Sequence, residues 1–550
     1  MTSSGQPTPA SALGNITHVI VLMFENRSFD HLLGAMPGVD GVLDPSGNVY
    51  SNLYNTKDPA ASSSAALGPN DTRVYPAAIF PDIGNELSPN NESAVFQDND
   101  FNHSFCDGML CDLYGPRTTG IIGGQPQNAP PTTDPPTNSG FLVAPGNDQG
   151  KSSIAGVMSY FAWNSMQVFH PLARNFVTCD AWHCDMPGHT APNRAFMHCA
   201  TTGDLGIDDD DGASLNPYPN FQGSVLVNRT TIFEHIQNSQ KTWKMYWMGS
   251  NCDTDWLNTT VFCQQYSAAS PTQYNVTQVP IANLFSDLSN GTLPFYSFIM
   301  SFSDLGQDTS MHPNSIVEAG ENLLACVYNA LRASDYWSNT LLIVNFDENG
   351  GLYDHKSVPA ASPPDQNAPV WTWPPDGGPY SFDFSVLGPR TPVLLISPWL
   401  QAGICSNQFQ NTSILRFLQD LLTPSQPGIL SLTERDLKAP SIAPVFDYAN
   451  FGLNEMRTDC PSNLPLYIGT SSTPVITEAQ ITSVPTFEEL TAPPSPHICK
   501  ITKKYLSGLP GHPDSGKPIT RTFATVGELR AYAKERRDAV LAAIRKGSAG

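Results

Sequence analysis

Basic residues are scarce in this chain. There are 28 Lys and Arg against 50 Asp and Glu, so the formal net charge is −22 over 550 residues. Nucleic acids and anionic membrane surfaces attract proteins with a surplus of positive charge, and this composition argues against both as partners. An anionic substrate would need a metal ion or a local basic pocket to be attracted.

Long hydrophobic runs are also missing, and none approaches the roughly 20 residues that a transmembrane helix needs. Residues 1–13 have neither the basic start nor the apolar centre of a signal peptide, so a secreted form would have lost a leader or used another route. Frequent Asn-X-Ser/Thr sequons nevertheless favour a secreted glycoprotein over the cytoplasmic alternative. They lie, among other places, at Asn15, Asn70, Asn91, Asn228, Asn258, Asn275, Asn290 and Asn411.

The cysteine count is odd, with 11 in the chain. Disulfides are plausible in an acidic extracellular protein, although their pairing cannot be read from the sequence. Three pairs are close together along the chain: Cys106 and Cys111, Cys179 and Cys184, and Cys252 and Cys263.

Composition divides the chain into two parts. With 40% hydrophobic residues, the chain can bury a large core, and we expect residues 14–462 to form the main domain. From about residue 463 the sequence shifts to Thr, Pro and Ser, and a basic amphipathic pattern follows at 525–546. This extension is predicted to end in a helix. Docking of that helix on the main domain is favoured over binding to a membrane surface.

Two stretches share one design, in which an apolar strand is followed by acidic residues. The run VIVLMF precedes Glu25, and the run LLIV is followed closely by Asp347 and Glu348. Such runs are typical of strands that are buried on both faces of a parallel sheet. Because the carboxyl ends of parallel strands meet at one edge, we expect these three acids to converge there.

Convergence of three carboxylates predicts a cation. Without one they cannot readily all stay ionised, and hard divalent cations prefer oxygen ligands of this kind. The metal itself cannot be identified from the sequence. The alternative is that Glu25 caps the next helix and that Asn26 makes a turn. Asn26 also begins a sequon, which should not be glycosylated if it lies in a site.

A third stretch, around Thr190, has the pattern of a helix start. Pro192 suits the first turn of a helix, which places Thr190 at or just before the amino end. Free backbone N–H groups there can bind an anion, so the Thr190 hydroxyl would lie beside an anion site. The alternative is a simple N-cap. His103 lies among acidic residues and is a candidate ligand-binding histidine. The alternative is that it lies in a surface loop and binds no ligand.

Hydrophobic periodicity places the chain in the α/β class. Between 120 and 150 the chain should be irregular, and the Pro-rich stretch 359–379, with Trp371 and Trp373, either walls a pocket or covers the sheet. Further strands are expected at 176–179, 242–247, 295–300 and 392–397, and helices at 153–173, 315–333 and 414–422.

Four ordered blocks resemble the phosphoesterase family, which includes bacterial and plant non-specific phospholipases C and an acid phosphatase branch. The blocks are FENRSFDHLLG, PGHTAPNRAFMHCATT, the His312-Pro313 helix with FDENGGLYDH after it, and LGPRTPVLLISPW. They span roughly residues 16–446, about four-fifths of the chain. The family belongs to the alkaline phosphatase superfamily, so the resemblance implies an alkaline-phosphatase-like fold with a mostly parallel central sheet sandwiched by helices.

The resemblance also implies the roles of individual residues. The oxygens of Glu25, Asn26, Thr190, Asp347 and Glu348 would hold the metal, and Thr190 would be the nucleophile that forms a phosphothreonine intermediate.

Other residues would act on the phosphoryl group. Asn26, His103 and His312 would stabilise its oxygens, and one His would protonate the leaving group. The remaining residues expected to bind substrate are Asn193, Asp354 and His355.

Two positions depart from the family pattern. Asn349 stands where the family usually has the His of Asp-Glu-His-Gly-Gly, and Asn411 replaces a family His before Thr-Ser. These changes would affect substrate choice or metal affinity, since the predicted metal ligands and the nucleophile are intact.

The expected activity is metal-dependent hydrolysis of phosphoric esters, foremost phospholipase C-type cleavage of phosphodiesters, with a phosphate ester or phospholipid as substrate. An acid phosphatase acting on monoesters is the alternative, and an inactive secreted binding protein is a third interpretation. A sulfatase is disfavoured because it needs Cys or Ser where Thr190 stands. The oligomeric state is not predicted.

Overall fold

The structure is a computed structural model that describes residues 11–55, 71–82, 91–92, 101, 109, 112–113, 121–122, 125–126, 138, 140–142, 156–202, 229–247, 278–301, 308–313, 315–364, 371–373, 380–469, 475–482, 522–525, 528 and 532. His103 lies outside these residues, as do most of the stretch 120–150 and most of the expected C-terminal helix at 525–546. The division into two domains therefore stays a prediction.

The strands within these ranges are numbered in chain order. They are β1 His18–Phe24, β2 Asn52–Asn55, β3 Asp71–Val74, β4 Ala77–Ile79, β5 Ile121–Ile122, β6 Gln125–Pro126, β7 Ser159–Phe161, β8 Val177–Cys179, β9 Trp182–His183, β10 Trp243–Trp247, β11 Gln278–Pro280, β12 Tyr296–Met300, β13 Thr340–Phe346, β14 Trp371–Trp373, β15 Tyr380–Phe382, β16 Val393–Ile396, β17 Gly403–Cys405 and β18 Phe409–Gln410.

The helices in the same ranges are numbered likewise. They are α1 Phe29–Leu33, α2 Phe169–Asn175, α3 Thr190–Cys199, α4 Ile232–Asn238, α5 Ala282–Asn290, α6 Val317–Ala333, α7 Thr412–Leu422, α8 Glu434–Lys438 and α9 Glu478–Thr482, with 3-10 segments at Ala12–Asn15, Asp335–Asn339 and Ala443–Phe446. None of the described helices is long and apolar enough to cross a membrane.

A mixed but mostly parallel sheet organises the described part of the chain. Its eight strands lie in the order β11-β10-β12-β1-β13-β16-β8-β17, and β16 runs antiparallel to both of its neighbours. The remaining neighbours are parallel. β1 lies between β12 and β13, so the two strands that share the apolar-then-acidic design are adjacent, as the α/β prediction requires.

Helices cover both faces of this sheet. The side chains of Ile20, Leu22 and Phe24 pack into a core with α2, α5 and α6, whereas Val19, Val21 and Met23 pack on the other face with α4 and α7. Burying an aliphatic side chain stabilises a fold by roughly 1.5–3 kcal/mol, so the buried apolar side chains on both faces of β1 contribute strongly to the stability of the sheet. The predicted α/β class with helices on both faces of the sheet is confirmed.

One predicted helix is wrong over most of its length. The periodicity indicated a helix at 153–173, but the structure has strand β7 at Ser159–Phe161, and α2 begins only at Phe169. β7 pairs in parallel with β4, and a Cβ on Gly156 would overlap the ring of Phe101. Pairing and close packing with distant parts of the chain therefore outweigh the local helical pattern.

Candidate active site

The carboxyl ends of β1 and β13 bring the predicted acidic residues together. Phe24 and Phe346 are register partners at the ends of the two strands, and the next residues continue the contact. The backbone N–H of Asn26 donates to Asp347 Oδ1 at 3.1 Å, and the N–H of Glu348 donates to the same oxygen at 2.8 Å. Glu25, Asp347 and Glu348 are all buried. The expected convergence of these acids is thus observed, while their role as metal ligands stays a prediction.

A sharp turn directs the Asn26 side chain into this cluster. Asn26 has a φ of 58°, in the left-handed region that non-glycine residues seldom adopt. Gly350 also has a positive φ, of 65°, and a Cβ there would overlap the carbonyl oxygen of Asn26. The Gly350 turn therefore packs directly on the strained turn at Asn26, and strain of this kind is often stored at functional sites.

Thr190 joins the same cluster from the start of α3. It is the first residue of the helix, and His189 occupies the N-cap position, so the alternative that Thr190 is a simple N-cap is wrong. The Thr190 hydroxyl donates to Asn26 Oδ1 at 3.1 Å across 164 residues of sequence. Only 7% of the surface of Thr190 is exposed, so its hydroxyl lies at a buried helix start beside an amide oxygen. This arrangement can present an oxygen nucleophile to an anionic group.

Arg194 is a functional candidate that sequence reasoning missed. Its Nε donates to Asp347 Oδ2 at 2.9 Å, and its Nη2 lies 3.3 Å from Glu25 Oε1. All three side chains are buried, so one guanidinium compensates two carboxylates of the cluster. Arg194 follows Thr190 by four residues on α3, and residues with this spacing share a helix face. That spacing was the available signal.

Asn193 holds the loop that leads into Thr190. Its Nδ2 lies 3.1 Å from the carbonyl oxygens of Met186, Gly188 and His189, and its Oδ1 accepts the Met186 N–H at 3.1 Å. Asn193 is fully buried. Its expected contact with substrate stays a prediction. In the structure its side chain hydrogen-bonds to the backbone of the loop and stabilises the loop conformation.

Asp185 fastens the other end of that loop. Its carboxylate accepts bonds from the Thr412 N–H at 2.9 Å, from the Thr412 hydroxyl at 2.8 Å and from Gln410 Nε2 at 3.0 Å. Burial raises the pKa of Asp185 to about 6, although these donors and Arg435 oppose the change. The segment before the candidate nucleophile is therefore held at both ends.

The loop that carries His312 is attached to the end of β1. The N–H of Glu25 donates to the carbonyl oxygen of Ser310 at 2.9 Å. The next residue, Met311, has a φ of 65°, and the N–H of His312 donates back to Ser310 Oγ at 3.3 Å. His312 is 3% exposed. The backbone of this loop therefore follows the edge of the carboxylate cluster.

Asp354 and His355 belong to a separate ion-pair network. Arg390 donates to Asp354 Oδ1 at 2.9 Å and to Asp30 Oδ1 at 3.0 Å, and His355 contacts Asp30 at 2.7 Å and Asp40 at 3.0 Å. Burial lowers the pKa of His355, but the Asp30 and Asp354 carboxylates together outweigh burial, so the pKa is raised overall.

This network also contains the atoms of a possible metal site. Ligand atoms of Asp30, Asp354 and His355 lie within 4.8 Å of one another. Because the Arg390 guanidinium contacts both carboxylates and the His355 ring also contacts Asp30, we interpret the network as an ion-pair link between α1 and the segment after β13. The predicted role of Asp354 and His355 in substrate binding is untested.

The two departures from the family pattern lie beneath the acidic cluster. Asn411 Nδ2 donates to the Asp347 carbonyl oxygen at 3.1 Å, and Asn411 Oδ1 accepts from Trp182 Nε1 at 2.9 Å. Asn349 Nδ2 donates to the Leu352 carbonyl oxygen at 3.0 Å. Both side chains therefore support the backbone around Asp347. Asn411 is fully buried, so its sequon is inaccessible in the folded chain.

The described cysteines are free thiols: Cys179, Cys184, Cys199, Cys326, Cys405 and Cys460. Cys179 and Cys184, which are close together along the chain, therefore form no disulfide with each other. Cys179 instead pairs in register with Cys405 of the neighbouring strand β17. The other two close pairs lie outside the described residues.

Comparisons of the sequence with known proteins identify the family of this chain. The model of the phosphoesterase family matches residues 16–423. A non-specific phospholipase C3 from Arabidopsis thaliana is 29% identical over 84% of this chain and 78% of its own length. A phospholipase C B from Mycobacterium tuberculosis is 26% identical over 80% of this chain and 78% of its own.

A solved structure has a weaker likeness. A protein in the alkaline phosphatase superfamily from Vibrio parahaemolyticus is 14% identical, covers 50% of this chain and 64% of its own, and has a TM-score of 0.28. The family assignment therefore depends on the sequence matches.

Proposed function

The chain belongs to the phosphoesterase family, and we propose that it is a phospholipase C-type hydrolase of phosphoric esters, with Thr190 as its nucleophile at a site for a divalent cation. The observation that supports this most strongly is the hydrogen bond between the Thr190 hydroxyl and Asn26, directly beside the buried carboxylates. An inactive binding protein is disfavoured because the acids and the hydroxyl lie together in one cluster.

The chemistry of the donor set fits a hard cation. Carboxylate oxygens of Glu25, Asp347 and Glu348, the amide oxygen of Asn26 and the hydroxyl of Thr190 are oxygen donors, and all five residues are buried. Among the described residues, the Arg194 guanidinium contacts two of the three carboxylates, those of Glu25 and Asp347. When bound, a divalent cation supplies positive charge that lowers the pKa of a hydroxyl and polarises a phosphoryl oxygen.

The chain's own residues perform the transfer in two steps. Thr190 Oγ, oriented by Asn26 Oδ1, gives its proton to solvent water and attacks phosphorus in line. The bond from phosphorus to the leaving oxygen breaks as a phosphothreonine forms. A protonated histidine, His103 or His312, gives its proton to the leaving alkoxide. Water then attacks the phosphorus, breaks the bond to Thr190 and releases the phosphorylated headgroup.

Backbone and amide donors stabilise the charge that develops on the equatorial oxygens. The N–H groups at the start of α3 are candidates, together with Asn26. Asn193 and Asp185 keep the preceding loop in place, which orients Thr190 for attack. Substrate contacts of Asp354 and His355 are not needed for this sequence of steps.

A paired hydrolysis assay tests the proposal. Wild-type protein, T190A and T190S are compared on p-nitrophenylphosphorylcholine and p-nitrophenyl phosphate, each with a divalent cation or with chelator. We expect chelator-sensitive cleavage of the diester, no turnover by T190A and partial retention by T190S, which keeps a hydroxyl. Cleavage of the monoester alone would favour the acid phosphatase alternative, and full activity of a folded T190A would refute the nucleophile.

A further inference from the structure

We propose that Arg27 is a positioning residue that holds the loop bearing His312 in place against the end of β1. This inference rests on the proposed role of His312 at the phosphoryl group. Arg27 follows Asn26 directly in sequence, and its side chain is fully buried. It therefore starts from the strand end that supplies Glu25 and Asn26.

The guanidinium of Arg27 binds the backbone of the His312 loop at three points. Its Nε donates to the Met311 carbonyl oxygen at 2.5 Å. Its Nη2 lies 3.3 Å from the carbonyl oxygen of His312 and 3.4 Å from that of Ser315. The guanidinium thus binds the backbone before His312, at His312 itself and after it. A lysine ammonium keeps the charge but cannot reproduce the fork of the guanidinium.

The far side of the guanidinium is also held. Arg27 Nη2 donates to Glu92 Oε1 at 2.7 Å, and Glu92 Oε2 accepts the N–H of Val317, the first residue of α6, at 3.1 Å. Arg27 Nη1 lies 2.8 Å from His31 Nε2, whose other ring nitrogen lies 2.8 Å from the Ser159 carbonyl oxygen. Burial and Arg27 lower the pKa of His31, so a neutral ring accepts from Arg27. With both ends fixed, the guanidinium has little freedom to move.

The His312 loop needs such support because its backbone is strained. Met311 has a φ of 65°, and a non-glycine residue in this region costs of order 1–3 kcal/mol, so it persists only when the surroundings impose it. Two of the contacts that hold Met311 itself are the bond from Arg27 to its carbonyl oxygen and close packing at Gly320, where a Cβ would overlap the Met311 side chain. Loss of the first would let the loop relax and move His312.

A double-mutant cycle tests the inference through turnover of the diester. R27K, H312N and the double variant are compared for kcat and KM at saturating divalent cation. Removing His312 should lower kcat by roughly 10²-fold or more. R27K should lower kcat by about 10-fold or more through misplacement of the ring. In the H312N background the same R27K change should cost less than about 2-fold, since the residue it positions is gone.

Arg435 offers a matched control. It is equally buried, and it donates to three backbone carbonyl oxygens, those of Ser362, Asp185 and Phe384. R435K therefore removes a similar fork from a loop that does not carry His312. Its effect on kcat should be the same in the wild-type and H312N backgrounds.

The outcomes separate the inference from the proposed function. An H312N variant with wild-type kcat would refute the role of His312, and with it the inference. A large loss in H312N with a full R27K effect still present in that background would overturn the inference alone. If R27K does not fold, E92Q loosens the same guanidinium from the other side, and its effect should likewise disappear in the H312N background.

Discussion

Arg194 should stabilise the metal-free protein far more than the metal-bound protein. Its guanidinium contacts Asp347 at 2.9 Å and Glu25 at 3.3 Å, and all three groups are buried. Removing one partner of a buried ion pair leaves an uncompensated charge and costs about 3–5 kcal/mol. R194M, which keeps much of the side-chain volume, should therefore be about 3–5 kcal/mol less stable than wild type when metal is removed.

A divalent cation should reduce this difference, because it supplies to the same carboxylates the positive charge that Arg194 supplied. At an effective dielectric constant of 20, two unit charges 4 Å apart interact by roughly 4 kcal/mol, and a double charge interacts more strongly. We expect the difference in unfolding free energy between wild type and R194M to fall by at least half when the cation is present. Equivalently, the cation should stabilise R194M more than it stabilises wild type.

Urea unfolding followed by tryptophan fluorescence measures both quantities. Wild type and R194M are unfolded in chelator and then with Mg²⁺, Ca²⁺, Mn²⁺ or Zn²⁺ separately, and the cation that stabilises wild type most is used for the comparison. R435M is the control, since Arg435 lies beside Asp185 at 3.6 Å and contacts none of the three acids. Its cost should be independent of chelator. An R194M cost that is absent in chelator, or equal in both conditions, would refute the charge argument.

Two further predictions concern the turn and the ion-pair network. G350A should unfold at lower urea concentration and lose most activity, because Gly350 has a φ of 65° and the added Cβ would overlap the Asn26 carbonyl. The control is G47A: Gly47 has a φ of 83° and open space around it, so this variant should lose only the backbone contribution of about 1–2 kcal/mol. The pKa of His355 is raised in the folded state, so protonation of its ring stabilises the folded protein. This stabilisation is fully present below the ordinary pKa of 6.5, and it is lost as the pH rises through the raised pKa. H355Q should therefore be less stable than wild type at acidic pH and approach it at alkaline pH, and equal differences across the range would contradict this.

The strands of the central sheet were predictable because each obeys a rule that acts locally. The run VIVLMF has no polar interruption, since both of its faces are covered, and it became β1 within one residue of the expected bounds. β13 and the helix predicted at 315–333, which spans Val317–Ala333, both lie within two residues of their expected bounds. The helix predicted at 153–173 is wrong because the apolar residues there fit both the helix period and the strand period. The parallel pairing of β7 with β4 decides between the two.

The convergence of the acids in the candidate site was also within reach of sequence reasoning, whereas the contact partners of its arginines were not. Acidic residues after two parallel strands meet at one edge whatever the loops between them do. The partners of Arg194 and Arg27 depend on contacts across 153 and 284 residues, which no local pattern encodes. Proximity of this kind follows from how the whole chain packs.

A general argument would nevertheless have pointed to these arginines. Burying a guanidinium is costly unless acceptors surround it, so an arginine inside a block of small and apolar residues implies carboxylates or carbonyls nearby. Arg194 lies in such a block, four residues after the candidate nucleophile, and Arg27 lies between the acidic end of β1 and α1. The chain has 28 basic residues and 50 acidic ones, and the buried arginines Arg27, Arg194, Arg390 and Arg435 of the described part each contact a buried carboxylate. The shortage of positive charge that disfavours anionic partners therefore makes each buried arginine informative about where the acids converge.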